Sequence, residues 1–472
     1  MIRASCWLRI AAGIGLVCAP FSLGQLAPLE RAGLIDGVKS IAVPGIPGTI
    51  SVFGEAAFPV VTAVRGKSRG TVVAAGVLDK GRVVAFGHDG YLANDALGKG
   101  DTARLMANAL RWAGRHPVGT LRVALLGVDR QGSLSKTNDV VVLEGEWDDR
   151  RGGQGADVVV LHAVRVQDRA TLDRVREFVR AGGGLVVGAT GWGWAQMNPS
   201  KQLERDFAAN GMLAEAGLAF AYGMVKRPAG GSFSPQSSLA SALHAGEALR
   251  LLSKDGELED GALAQAVDSV CEAARCVPVG DVLFRPRLSA LLLGAEERLV
   301  PTREQPVRHR DGLARIAITL EAARIRDLPP PAVVAHPAAS DFPGGVPKEA
   351  PRGTVEMDID TAVPRWHSTG CYAAPGETIQ IDLPKQAVGK GLALRIGAHS
   401  DKVWQRDAWW RYPEITRRFR LDYVMTQGAC AFGGLVYLEV PKDCELGSVP
   451  VTIRNAVEAP WYEHGRTDLQ DW

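Results

Sequence analysis

The sequence predicts a multidomain α/β plus β chain in three successive regions: a parallel sheet wrapped by helices, a helical middle region and a C-terminal antiparallel β-sandwich. Three observations predict it. Short apolar, β-branched runs alternate with amphipathic stretches over residues 25–223. Helical spacing then takes over in 224–334, and period-two alternation punctuated by turn residues fills 353–472. A length of 472 residues exceeds one ordinary core and fits about three domains.

In the first region, Arg82–Phe86, Leu121–Val128, Val158–Leu161 and Gly184–Val187 read as strands, the last three apolar enough to be buried on both faces. Asp101–Ala113 and Ala170–Arg180 have helical spacing, the second with Leu172, Val175, Phe178 and Val179 on one stripe before Gly182-Gly183-Gly184 ends it. Strand–helix–strand alternation with glycine-rich exits argues for parallel pairing. In the second region Leu239–Leu252, Gly261–Ala274 and Leu313–Ile325 are amphipathic. Pro329-Pro330-Pro331, Pro337, Pro343-Gly344-Gly345 and Pro347 follow, a composition that predicts an extended, poorly packed linker at 335–352. In the third, Thr378–Asp382, Leu392–Ile396, Gly434–Val440 and Val449–Ile453 alternate apolar and polar residues at sandwich-like spacing.

The N-terminus has a basic head with Arg3 and Arg9, an apolar run Ile10–Leu23 and small residues at Ser22 and Gly24. It reads as a secretory signal over 1–24, predicting a secreted, periplasmic or cell-surface protein with no later membrane span. Lys and Arg number 54 against 52 Asp and Glu. Without the two arginines of the signal the balance is even, so counterion release offers nothing to nucleic acid. Five cysteines remain: Cys271, Cys276, Cys371, Cys430 and Cys444. An odd count leaves at least one outside any internal disulfide; Cys271 and Cys276 are spaced to close a small loop, and buried thiols are the other reading.

Chemistry is sparse. The nine histidines, at 88, 116, 162, 244, 309, 336, 367, 399 and 464, are never closer than 27 residues and none precedes Glu, so no His-Glu-x-x-His zinc motif is present. Gly98-Lys99 is followed by Gly100, not Ser or Thr, which rules out a phosphate loop. The turn Gly188–Trp194 follows a strand where a nucleophile often stands, but offers only Thr190. Its Trp192 and Trp194 read either as packing or as a ligand platform at the carboxyl ends of the strands. The last region concentrates Trp404, Arg406, Trp409, Trp410 and Arg411 with Tyr412, Arg417, Arg418 and Arg420. Aromatic faces beside Arg and Asp suit sugar rings; the alternative is a plug in the sandwich, its arginines paired with Asp401, Asp407 and Glu414. No catalytic and no metal-ligating residue is assigned.

These residues also carry a family likeness. Trp366–Gly370, Tyr372–Glu377, Leu394–Asp401, Trp410–Pro413, Phe432–Pro441 and Ala459–Tyr462 occur in the order found in the domain that precedes the catalytic unit of enhancin-like, mucin-degrading zinc metallopeptidases, peptidase family M-sixty. Upstream, Arg180–Val187 and Trp192–Ala195 resemble the amidotransferase-like domain of TRP-channel-associated factors, which share the order of domains read here. The resemblance implies a class I glutamine amidotransferase-like, flavodoxin-like fold for 25–223, lacking its nucleophilic Cys at the 188–194 turn. It further implies a helical region at 224–334 and, at 353–472, the domain preceding a peptidase unit. The family's zinc helix lies downstream of the Pro-Trp-Tyr segment, so zinc is expected only there and no cofactor in this chain. The expected function is the non-catalytic N-terminal portion of a secreted zinc metallopeptidase acting on glycoprotein. The alternatives are an exported carbohydrate- or protein-binding module and, third, a residual hydrolase using Asp89, His88 or His162.

Overall fold

The computed structural model describes residues 23–116, 118–129, 139–143, 155–199, 201–253, 258–291 and 300–460. The expected signal lies outside them apart from Leu23 and Gly24, which open a helix Leu23–Leu34. The end of the last family motif, Trp461-Tyr462, lies outside them too.

Seven strands form the first large sheet, in the spatial order 58–65, 68–78, 81–86, 184–188, 158–162, 121–126, 140–142. The first three pair antiparallel and the remaining junctions are parallel. The order 140–142, 121–126, 158–162, 184–188 is the 2-1-3-4 arrangement of doubly wound sheets. The fifth place is taken by 81–86, a strand that precedes the others in the chain. Val159, Leu161, Leu185 and Val187 point into one core, and Val158, Val160 and Val186 into another on the opposite face. This is why these runs are apolar at every position rather than at alternate ones. The helix Thr102–Gly114 covers the second face through Leu105, Met106, Ala109 and Leu110. The helix Arg169–Arg180 covers the first through Leu172, Val175 and Val179. Asp168 caps that helix by accepting the Thr171 amide at 2.8 Å. Gly184 is required because a Cβ there would lie 2.6 Å from the Ala113 backbone.

The expected boundary at 223/224 is crossed by one continuous core. Ala266, Val270, Ala273 and Cys276 of the helix Asp260–Cys276 share a core with Leu218 and Phe220, on a strand paired with Gly48–Val52, and with the sheet residues Leu185 and Val187. The helix Gly312–Asp327 straddles two cores, with Ile316 in that of the sheet and Ile318 in that of the C-terminal region.

The C-terminal region is antiparallel throughout but is not two separate sheets. Its path runs 417–420, 393–396, 434–440, 365–373, 448–458, 378–382, 425–429, with 353–360 also paired to 448–458. The long strand Ser448–Glu458 joins the halves: Gln380 to Asp382 pair with one stretch of it, Cys371 and Tyr372 with its end. The terminal strands 417–420 and 425–429 meet, so the sheet curls into a nearly closed barrel. Closure removes the exposed edges a sandwich would have had to protect.

The Pro/Gly linker packs on the barrel at its start, whereas 345–351 is largely exposed. Val333, His336, Ala338 and Ala339 are buried, His336 donates its amide to Ala431 O at 2.8 Å, and its ring packs on Tyr412 and Phe432. The prolines set two 3-10 turns, Pro330–Ala332 and Pro337–Ser340, that lay these side chains on the barrel.

Candidate functional site

Two constellations emerge, one at the carboxyl edge of the parallel strands and one at the rim of the barrel. At the sheet edge, Phe86 and His162 both lie level with Gly188. The residues that follow therefore converge. Thr190 Oγ1 donates to Asp89 Oδ1 at 3.0 Å, and His162 Nε2 lies 3.4 Å from Asp89 Oδ2. His88 accepts the Gly90 amide on Nδ1 at 2.9 Å and lies 3.7 Å from Asp89 Oδ1. Burial alone would raise the Asp89 carboxyl; the hydrogen bond from His162 and the neighbouring imidazoles outweigh it and hold the group well below the usual carboxylate range. Burial lowers His88, only partly offset by Asp89.

The sequence singled out His88, Asp89 and His162, and the structure gathers them with Thr190. Their order, however, does not activate a nucleophile. Hydrolytic triads place an imidazole between hydroxyl and carboxylate so that the base can take the proton. Here the hydroxyl donates straight to a carboxylate held anionic, which is a poor base. The two tryptophans of this turn diverge. Trp194 is buried against Phe207, ring centroids 4.9 Å apart, which is the packing alternative. Trp192 stays partly exposed and donates Nε1 to Ile46 O at 3.2 Å, pinning the Pro44–Pro47 loop over the sheet edge.

At the barrel, Trp409 is only 1% exposed. The Arg315 guanidinium lies 4.4 Å from its ring centroid, and Trp404 meets it edge-on at 5.4 Å. Arg275 sits between Tyr222 and Trp404, 4.8 and 4.7 Å from their rings, so this cluster ties the sheet region to the barrel. The cavity it encloses, about 30 Å³, has room for a water but not for a sugar. Trp404 and Trp409 thus follow the plug reading; Arg411 donates Nη2 to Asp401 Oδ2 at 2.8 Å, as that reading has it, yet also reaches the neighbouring surface groove. Asp407 and Glu414 pair instead with Lys67 and Lys402.

Trp410, by contrast, is 61% exposed. It lines an open groove of about 950 Å³ together with Arg406, Arg411, Arg303, Asp341 and Phe342. Arg411 lies 5.7 Å from the Phe342 ring. Sequence reasoning missed Arg303, Asp341 and Phe342 because nothing local marks them: Phe342 sits in the stretch whose composition predicts a loose linker.

All five cysteines beyond the expected signal are free thiols. Cys271 and Cys276 lie on one helix rather than closing a loop. Among the described residues no three His, Cys, Asp or Glu side chains converge as metal ligands. Nor is any helix among them long and apolar enough to cross a membrane.

Comparison with known proteins places this geometry in context. Residues 348–454 match a family model described as the N-terminal domain of M60-like peptidases, and residues 14–234 one described as TRPM8, N-terminal domain. Human TRPM8 channel-associated factor 1 is 28% identical over 461 residues, covering 94% of this chain and 47% of that protein. The zebrafish (Danio rerio) TRPM8 channel-associated factor homolog is 26% identical over 456 residues, covering 93% and 47%. Among solved structures, IMPa from Pseudomonas aeruginosa in complex with an O-glycopeptide gives a TM-score of 0.44 at 13% identity, covering 95% of this chain and 55% of that one. The match to the M60-like family model lies in the barrel region, whereas these sequence relatives over nearly the whole chain are channel-associated factors. The chain spans about half the length of the curated relatives it matches.

Proposed function

We propose that this chain is the non-catalytic recognition portion of a larger, exported zinc metallopeptidase-like protein, and that it holds glycosylated polypeptide in the groove around Trp410. The observation that carries the reading is that groove: an exposed indole beside Phe342, rimmed by guanidinium and carboxylate groups in equal number. Aromatic faces stack on the C–H faces of sugars, and paired donors and acceptors match hydroxyls. The match of residues 348–454 to the N-terminal domain of M60-like peptidases includes Trp410 and Arg411, which supports placing this surface ahead of a peptidase unit. In this reading zinc belongs to a segment outside the chain. Calorimetric titration of the 472-residue chain with an O-glycopeptide and with its deglycosylated form tests it. The glycosylated form binds the tighter, and Trp410→Ala costs about tenfold or more in affinity; equal binding of the two forms overturns the glycan reading.

A second reading has its own support: the relatives that match more than nine-tenths of this chain are named as TRPM8 channel-associated factors. In it the chain docks on a channel protein rather than on a glycan. Co-purification with TRPM8, unaffected by Trp410→Ala, would favour it.

A further inference from the structure

We infer that the barrel carries a second ligand site, a groove lined by Trp366 that takes an anionic saccharide. The inference rests on the glycan reading above only in taking a sugar as ligand, and it stands on different residues. The groove, about 640 Å³, is lined by Arg365, Trp366, Gly391, Arg418, Glu439 and Pro441 and shares no residue with the one at Trp410.

Trp366 is 43% exposed, a large apolar surface left on a strand of a folded barrel. It is held in place from behind. The Arg395 guanidinium lies 4.1 Å from its ring centroid, and the Tyr437 ring centroid is 5.3 Å away at 43°. A ring fixed in this way costs little further ordering when a ligand stacks on it.

The charge balance separates the two grooves. Around Trp410, Arg303, Arg406 and Arg411 face Glu304, Asp341 and Asp407, and the signs cancel. Around Trp366, Arg365 and Arg418 meet one carboxylate, Glu439, which leaves one positive charge. Glu439 is already taken: Arg395 Nη1 lies 3.4 Å from Oε1, and Arg418 Nε donates to Oε2. Arg365 is exposed and, among the described residues, has no acidic partner. Its backbone also stands at φ +86°, a conformation that residues with a Cβ rarely adopt. Here it sets an unpaired guanidinium beside an exposed indole. The combination suits a sugar that stacks its C–H face on Trp366 and presents a carboxylate or sulfate to Arg365.

The test titrates the full chain with 3′-sialyllactose against lactose, and with a sulfated chondroitin tetrasaccharide against its desulfated form. The charged member of at least one pair binds about tenfold tighter than its neutral partner, and the tighter pair identifies the anion as carboxylate or sulfate. Trp366→Ala and Arg365→Gly each remove most of that preference. Arg365→Gly does so with unchanged or raised thermal stability, since glycine accepts the positive φ. Trp410→Ala leaves the anionic preference intact, while Trp366→Ala leaves neutral glycopeptide binding intact, so the two grooves fail separately. The inference is overturned if charged and neutral sugars bind alike, if Arg365→Gly binds as the parent does, or if a sugar-free polyglutamate peptide competes as well as the saccharide.

Discussion

The carboxyl edge of the parallel sheet and the rim of the barrel both gather charged and aromatic side chains, yet they dispose of them in opposite ways. At the sheet edge most polar groups are answered by a neighbour: Asp89 takes Thr190 and His162, His88 takes the Gly90 amide, and Trp192 takes Ile46 O, with the buried His162 Nδ1 left over. At the barrel rim Trp410, Trp366 and Arg365 stand uncovered. The lesson is that a cluster of chemically versatile residues is not by itself a site. What distinguishes a binding surface is valence left over where solvent and a ligand can reach it.

The sharpest way to break this comparison is within one dipeptide. Trp409→Ala removes a fully buried indole with Arg315 stacked on it and costs about 3–5 kcal/mol of stability, measured by denaturant unfolding. Trp410→Ala changes stability by less than about 0.5 kcal/mol and acts on binding alone. Comparable losses from the two substitutions would mean that Trp410 is structural and that the groove is not a free surface.

A smaller effect is expected at the sheet edge. Asp89→Asn weakens the fold by about 1–2 kcal/mol at neutral pH, through loss of hydrogen bonds to a charged acceptor. The folded pKa of Asp89 lies below its unfolded value of about 3.9, so its contribution is complete above that value and fades as pH falls through it toward the folded one. Unfolding curves of the parent and Asp89→Asn should therefore be furthest apart above about pH 5 and converge in acid. A gap independent of pH would mean that Asp89 acts by packing rather than by charge.

The smallest effect concerns the thiols. Burial pushes Cys271 up to about 12 and Cys430 to about 11, and raises Cys276 well above its ordinary value. Maleimide labelling of the native protein at pH 8, mapped by mass spectrometry, should mark the half-buried Cys444 before these three. Early labelling of Cys430 would show that the barrel core opens more readily than the sheet.

Much of the fold was legible because burial imposes a period. Thr378–Asp382 and Gly434–Val440 alternate in sequence and emerge as strands with those bounds, because one face meets the barrel core. Val158–Leu161 and Gly184–Val187 show no alternation, and both faces are buried. The strands Arg417–Arg420 and Met425–Ala429 went unread, since short, polar pieces at the closure of a barrel carry little hydrophobic pattern. The packing at the start of the linker is illegible for a related reason: proline content reports backbone stiffness and not whether a surface waits for it. His88, Asp89 and His162 were named from the sequence, whereas their junction with Thr190 depends on strands far apart in the chain meeting in one register.

The adjacent tryptophans mark where sequence stops and tertiary structure begins. Along an extended backbone neighbouring side chains point to opposite sides, so once Ala408–Trp409 is a strand, Trp409 and Trp410 cannot both be buried in one face. Which of them is covered depends on Val307–Arg308, a two-residue strand a hundred positions upstream that pairs with Ala408–Trp409. It also depends on Arg315, which the helix after that strand brings onto the Trp409 ring. Periodicity is a property of the local backbone, and it fixes alternation; the choice of face is made by whichever distant surface arrives to exclude water.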